Sequence, residues 1–377
     1  MKIPTPYLRM TAIAVLAAGL IGCGGGGGGP DIPTASNPPI TPPPTGAVAI
    51  ATEASAPDVP TATAIATKNK TIAAAAFQAL DGAGLQTIGN ATGVVGLEAT
   101  PAVTETRRLT VAEIVRRHAE KIKDYKGSAS FTGAQIVQTI PCFVSGTDTF
   151  VFDDVNGNSS EIFVNCDEGG VIFHGTISST GVSANVTLGS TVSSPYNISV
   201  AATITIDLSI VVTSPAEVLV SQGSFSFGVA FSGTMESDGA GGVVPGFPTH
   251  TETHITGPSL LASDGVNSEQ LLNFDLTSVD DDTAGTTLTG HFTYANSAGA
   301  INGAVTVNIT TPIHYAPGAL HPTAGVIEIT TTASQGMIKV TFASVAPLVT
   351  VQVYSDTAGT TLADTYTPTW TEFEALS

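Results

Sequence analysis

The sequence predicts an all-β fold. It reads as one large antiparallel meander, curled into a barrel-like sheet or folded as a sandwich, preceded by one amphipathic helix and a disordered N-terminal tether. Three observations carry this reading. From Ser128 onward apolar residues recur at every second position, as in Ile198, Val200, Ala202, Ile204, Ile206, Leu208, Ile210 and Val212, with polar or small residues between most of them. Side chains of a strand alternate between its faces, so such a run has one dry face and one wet face. Turn residues separate the runs: Asn156-Gly157, Asp238-Gly239, Asp264-Gly265, Ala284-Gly285 and Ser297-Ala298-Gly299. No helical period follows Gly127, so nothing supplies the crossovers that parallel strands need. The spacing predicts about twelve to fifteen strands.

Residues 1–22 carry Lys2 and Arg9 and then an apolar run from Ala12 to Ile21. A spanning helix needs about 20 apolar residues, so this run reads as the core of a signal peptide. It ends in Leu20-Ile21-Gly22-Cys23, which resembles the lipobox of bacterial lipoproteins. That resemblance implies cleavage before Cys23 and a diacylglyceryl group on its thiol, with palmitate-type acyl chains. Gly24, not Asp, follows the cysteine. Under the enterobacterial sorting rule this implies the outer membrane, with the chain facing the periplasm or the cell surface.

Residues 23–67 begin with a glycine run, continue with Pro30, Pro33, Pro38, Pro39, Pro42, Pro43 and Pro44, and contain no aromatic residue. Such a stretch buries too little apolar area to offset the cost of ordering it. It reads as a disordered, polyproline-rich tether with a stretched reach on the order of 100 Å. Residues 68–104 read as poorly ordered, with an Ala-rich short helix at 69–80. Residues 105–127 predict the amphipathic helix. Thr110 and Glu113 form a capping box, Val111, Val115, His118, Ile122 and Tyr125 share a face, and Lys121, Lys123 and Lys126 precede Gly127. The antiparallel β domain is assigned to 128–377.

Charge separates these regions. After Gly127 the only cation is Lys339, against 22 of the 31 acidic residues, since 9 precede Gly127. A segment of that charge cannot neutralise phosphates, which excludes nucleic acid as its partner. Of the three cysteines, Cys23 takes the lipid, and Cys142 and Cys166 form an even pair in an exported protein. They flank a hairpin whose turn is Asn156-Gly157, so a disulfide is expected between them. The Cys-x-x-Ser-Gly start and Asn-Cys end of this hairpin resemble uncharacterised β-rich bacterial lipoproteins. So does the closing stretch from Pro322-Thr-Ala-Gly325 to Trp370. The likeness implies an architecture and no activity.

For chemistry, His250-Thr-Glu252-Thr-His254 is the sharpest stretch. On a strand its two imidazoles and one carboxylate share a face, and these groups suit zinc or another first-row metal, with His314 or His321 to complete the site. Asp154-x-Asn156-x-Asn158 has the composition of a calcium loop but places Gly157 fourth where the sixth position needs it, so it reads as a turn. Asp280-Asp281-Asp282 reads as a solvated strand end. No Gly-x-Ser-x-Gly, His-Glu-x-x-His or phosphate-binding Gly-rich loop occurs. The predicted function is a lipid-anchored cell-envelope lipoprotein whose β domain is non-enzymatic and structural or partner-binding. Its expected partners are the membrane, through Cys23, and a protein partner or an apolar ligand, with no cofactor. The alternatives are a carrier of apolar ligands inside a β-barrel, and a metal-binding module at His250, Glu252 and His254.

Overall fold

A computed structural model describes residues 36–46, 50, 62–82, 135–153, 158–213, 216–237, 242–264, 266–297, 302–331 and 336–375. Its described elements are a helix α1 (Ala62–Gly82), fourteen strands and a short closing helix α2 (Trp370–Glu374). The strands are β1 (Gln135–Pro141), β2 (Ser145–Asp153), β3 (Asn158–Asp167), β4 (Val171–Thr187), β5 (Pro195–Thr213), β6 (Ala216–Ser237) and β7 (Val243–Ser263). They continue as β8 (Ser268–Asp281), β9 (Gly285–Asn296), β10 (Gly303–Tyr315), β11 (Ala324–Thr330), β12 (Met337–Ala343), β13 (Val349–Tyr354) and β14 (Leu362–Tyr366). Each strand pairs antiparallel with the next, so spatial order and chain order coincide from β1 to β14. The predicted meander is what forms. It is a single sheet, and among the described residues its first and last strands do not close on each other.

Fourteen strands about 4.8 Å apart would span roughly 60 Å if flat. Yet one hydrophobic cluster joins Phe163 of β3, Phe173 of β4, Leu276 of β8, Ile327 of β11 and Val351 of β13 with side chains of α1. The sheet therefore curls around α1. The alternation decides which residues face inward. On β12 Ile338, Val340 and Phe342 are buried while Lys339 and Thr341 are half-buried, and β13 repeats the pattern with Val349, Val351 and Val353.

Helix α1 is the main departure from expectation. A short helix was expected within a poorly ordered segment, and a tether was expected up to residue 67. The helix instead runs 21 residues and lies in the core. Ile72, Ala73, Ala74, Ala76, Phe77, Ala79 and Leu80 are all buried. The Ala side chains let the helix approach the sheet closely, and sheet and α2 supply the tertiary contacts that stabilise it. Phe77 meets Phe342 of β12 at 5.0 Å and both Trp370 and Phe373 of α2 at 5.9 Å between ring centroids. Helix α2 is set by a capping box: Thr369 accepts from the Glu372 amide, and Glu372 accepts from the Thr369 amide. The predicted helix at 105–127 lies outside the described residues, as do Cys23 and the Asn156-Gly157 turn.

The Cys142–Cys166 disulfide is present, with Cα atoms 5.4 Å apart. Cys142 sits in the β1–β2 connection and Cys166 near the end of β3, so the bridge ties three strands at one rim. Beside it Gly146 has φ +83°, and a Cβ there would lie 2.1 Å from the Asn165 carbonyl oxygen. Only glycine fits that approach. The bridge closes a loop with a sequence separation of 24. Replacing both cysteines by Ala should lower stability by about 3 kcal/mol in the chain-entropy model, read as a drop in urea midpoint, with the m-value rising as the unfolded chain expands.

Candidate functional site

The metal candidate does not assemble. His250, Glu252 and His254 do share the outward face of β7, while Thr253 and Ile255 are buried on the other. Each imidazole instead takes its own carboxylate from β8. His254 Nε2 lies 2.9 Å from Asp275 Oδ1, and His250 Nδ1 lies 3.8 Å from Asp281 Oδ2. Residues four apart on a strand are roughly 13 Å apart, too far to hold one ion without a fold in the chain. The two histidines that were to complete the set go elsewhere. His314 reaches Thr287 at 3.4 Å, and His321 stacks on Trp370 at 4.5 Å and meets Glu374 at 3.3 Å. Among the described residues, the one group of donors close enough for an ion is Cys142, Cys166 and Glu168, and its two sulfurs are spent in the disulfide.

The acidic turns are likewise self-satisfied. Asp281 accepts from the Thr283 hydroxyl at 2.7 Å and from the amides of Thr283 and Ala284 at 2.9 and 3.0 Å. Asp356 accepts from the Thr360 amide at 3.0 Å, the Thr361 amide at 2.6 Å and the Thr360 hydroxyl at 3.1 Å. Hydrogen bonds to the charged form favour it. The Thr283 hydroxyl first, and then the two amides, hold Asp281 down to about 2. The Thr360 amide leads in holding Asp356 down to about 2. Both pKa values are depressed in the folded chain. The stabilisation is therefore full above the ordinary carboxylate value of about 3.9 and is lost as pH falls from there through about 2. Urea midpoints measured from pH 5 to pH 2 should fall less steeply in Asp281→Asn/Asp356→Asn than in the parent.

A second arrangement on the outward face was not anticipated. Register places Asp207, Gln222, Leu261, Gln270, Ala295 and Ala304 in one row across β5 to β10. Residues 37–46, a Pro-rich strap, follow this row. At one end Asn37 donates from its backbone to Asp207 Oδ2 at 3.1 Å, and from its side chain to the carbonyls of His174 and Asp207 at 3.0 and 3.2 Å. Next, Gln222 donates to the Pro38 carbonyl at 3.2 Å and to Asp207 Oδ1 at 2.9 Å, and accepts from the Ile40 amide at 2.9 Å. At the far end the Ala304 amide donates to the Gly46 carbonyl at 3.0 Å. Between these ends Leu261, Gln270 and Ala295 are buried although they face away from the core. Five strand spacings make about 24 Å, and nine residues of polyproline helix reach about 28 Å, so the strap matches the row.

The strap then changes sides. Gly46 lies on the outward face, whereas Ile50 belongs to the core cluster with α1. Space for Asn37 comes from Gly175, whose φ is +126° and whose Cβ would lie 2.6 Å from the Asn37 amide nitrogen. The leader read as wholly disordered is thus seated at residues 36–46. Its prolines lower the entropy cost of an extended path, and the sheet supplies the apolar cover that the segment lacks alone. Sequence carried one signal of this: Leu260-Leu261-Ala262 breaks the alternation, as a strand covered on both faces does.

Comparison with protein-family models, with curated proteins and with solved structures finds no match to this chain.

Replacing Asp207 by Ala removes the acceptor of the Asn37 amide and of Gln222. Strap release should become easier by about 1–2 kcal/mol. Limited proteolysis should then cut within 36–46 several-fold faster while the β body stays intact.

Proposed function

We propose that this chain is a lipid-anchored lipoprotein of the cell envelope, held at the outer membrane through Cys23, whose β body is non-enzymatic and acts as a scaffold or protein-binding surface. Its N-terminal sequence supports the anchor through the likeness of Leu20-Ile21-Gly22-Cys23 to a lipobox and the short apolar run before it. The observation that supports the reading of the body is that α1 is buried against the apolar face of the sheet. Ile72, Phe77 and Leu80 of α1 share one core with Phe342 of β12 and with Trp370 and Phe373 of α2, on the face where a carrier would hold an apolar ligand. The outward face of β7, by contrast, carries His250, Glu252 and His254, with His254 beside Asp275 and His250 beside Asp281 of β8.

The strap gives the anchor a defined length. Fourteen residue-to-residue steps separate Cys23 from Asn37, the first strap residue bound to the sheet. Fully extended they reach roughly 45–50 Å, about one third of the reach of an equally extended tether free up to residue 67. A body fixed at that height stays close to the bilayer surface. No helix among the described residues is long and apolar enough to cross a membrane, and attachment in this reading needs none.

Cys23→Ala tests the anchor. The parent should fractionate with membranes and give an N-terminal peptide heavier by a diacylglyceryl group and an acyl chain. The variant should lose both the mass and the membrane fraction. Equal membrane association in parent and variant, with no added mass, would overturn the reading.

A further inference from the structure

We infer that the outward row of β5 to β10 is a binding site for a proline-rich segment of a partner protein, kept closed by the chain's own strap; this rests on the reading of the body as a protein-binding surface and is independent of the anchor. The strap's burial has a period of three. Asn37 and Ile40 are half-buried, Pro43 is buried, and the other residues of 36–46 are exposed. Gly46, the next position in that series, is bound through its carbonyl. A polyproline II helix has three residues per turn, so one edge of it, at 37, 40, 43 and 46, faces the sheet. One turn rises about 9 Å, close to two strand spacings, which lets such a helix step across the strands.

The row reads this edge by its chemistry. Pro38 and Pro39 carry no amide hydrogen, so Asn37 and Ile40 own the only backbone N–H groups of Asn37-Pro-Pro-Ile40. Each has its acceptor: the Asn37 amide donates to Asp207 Oδ2 at 3.1 Å, and the Ile40 amide donates to Gln222 Oε1 at 2.9 Å. Gln222 also donates to the Pro38 carbonyl at 3.2 Å, so one side chain holds the backbone on both sides of Pro39. The Asn37 side-chain nitrogen lies among acceptors: the carbonyls of His174 and Asp207 at 3.0 and 3.2 Å, and Asp207 Oδ1 at 3.3 Å. A carboxylate in its place would meet Asp207 as a like charge with no proton to donate. The notch beside Gly175 therefore takes Asn and rejects Asp.

Two features make this a site for a ligand in trans. First, the sheet builds it without the strap. Register between β5 and β6 runs unbroken from Pro195 to Thr213 and sets Asp207 opposite Gln222, and Gln222 Nε2 donates to Asp207 Oδ1 at 2.9 Å. The two reading side chains thus hold each other in place when the strap lifts. Second, the strap is lightly held. It lies mostly exposed on the outward face, and its hydrogen bonds to the sheet gather at its two ends. A segment joined in cis competes at an effective concentration in the millimolar range, so light contacts suffice to keep the site closed. The seated strap also defines the ligand: an extended proline-rich segment with Asn, an aliphatic residue and Pro at successive three-residue steps, recognised through its preformed polyproline helix.

The test uses the full-length chain in detergent and a fluorescent synthetic copy of residues 36–46. Asn37→Asp weakens the strap and leaves the groove intact. It should bind the peptide about tenfold tighter than the parent does, with faster proteolytic cutting inside 36–46 to report release. Pro43→Asp, at the buried turn, frees the strap by a second route and should do the same. Asp207→Ala also frees the strap, yet added to Asn37→Asp it should cancel the gain, and the peptide with its own Asn37→Asp change should bind no variant. A strap that is only structural has no reason to give opposite effects on its two sides. Refusal of the peptide by the released variants, equal binding of the two peptides, or a strap that stays uncut in both variants would overturn the proposal. Each of these leaves the scaffold reading of the body standing, and the anchor is tested separately through Cys23. Self-association of the parent that Asp207→Ala abolishes would assign the groove to the strap of a second copy and also overturn the proposal.

Discussion

A sheet fourteen strands wide carries an apolar face too large to leave in water, and the rest of this structure follows from how that face is covered. Helix α1 lies against it, and the sheet curls so that side chains from β3 to β13 share one cluster with the helix. An Ala-rich helix is marginal alone, and this one gains its stability from the surfaces around it. Phe77, Leu80 and Ile72 fill the space, while Ala73, Ala74 and Ala76 keep the backbone near the sheet. Helix α2 closes the arrangement from the other end of the chain through Trp370 and Phe373. A helix that precedes the sheet and a helix that follows it thus meet in the core, and a meander that pairs only neighbours becomes one cooperative body.

Coverage on the second face is local and uses a different chemistry. A Pro-rich segment has few amides to satisfy, and this one is held by hydrogen bonds at its two ends, to β5 and β6 at one and to β10 at the other. The row along which it runs mixes Asp207 and Gln222, which bind the strap, with Leu261 and Ala295, which are buried. Because residue 46 lies outside and residue 50 lies within the core, the leader is anchored on both sides of the sheet. The distance from Cys23 to the first fixed point is thereby a structural quantity.

Charge is spent in a similarly economical way. The carboxylates that looked like cation ligands accept from turn amides and hydroxyls, as Asp281 and Asp356 do, or pair with single imidazoles, as Asp275 does. Surface pairs of this kind add little stability each.

Much of the fold was legible because period-two alternation reports directly on which side of a sheet a residue faces. Ile198 to Val212, Leu276 and Val351 were assignable to strands without coordinates, and so were the antiparallel order and the Cys142–Cys166 bridge. The capacity of residues 69–80 to form a helix was also visible. Its burial was not, since an Ala-rich stretch has no face that announces a partner. The strap was illegible in its own composition for the same reason, since composition measures what a segment buries by itself and residues 36–46 are held by what the sheet offers them; its one trace lay in the sheet, at Leu260-Leu261-Ala262. The His250, Glu252 and His254 set shows the reverse case. Sequence spacing placed three donors on one face, but only the tertiary structure supplied Asp275 and Asp281 as nearer partners. What the chain determined alone was local period and covalent pairing; what the fold decided was every contact between residues far apart in sequence, because those depend on register and curl that no single segment encodes.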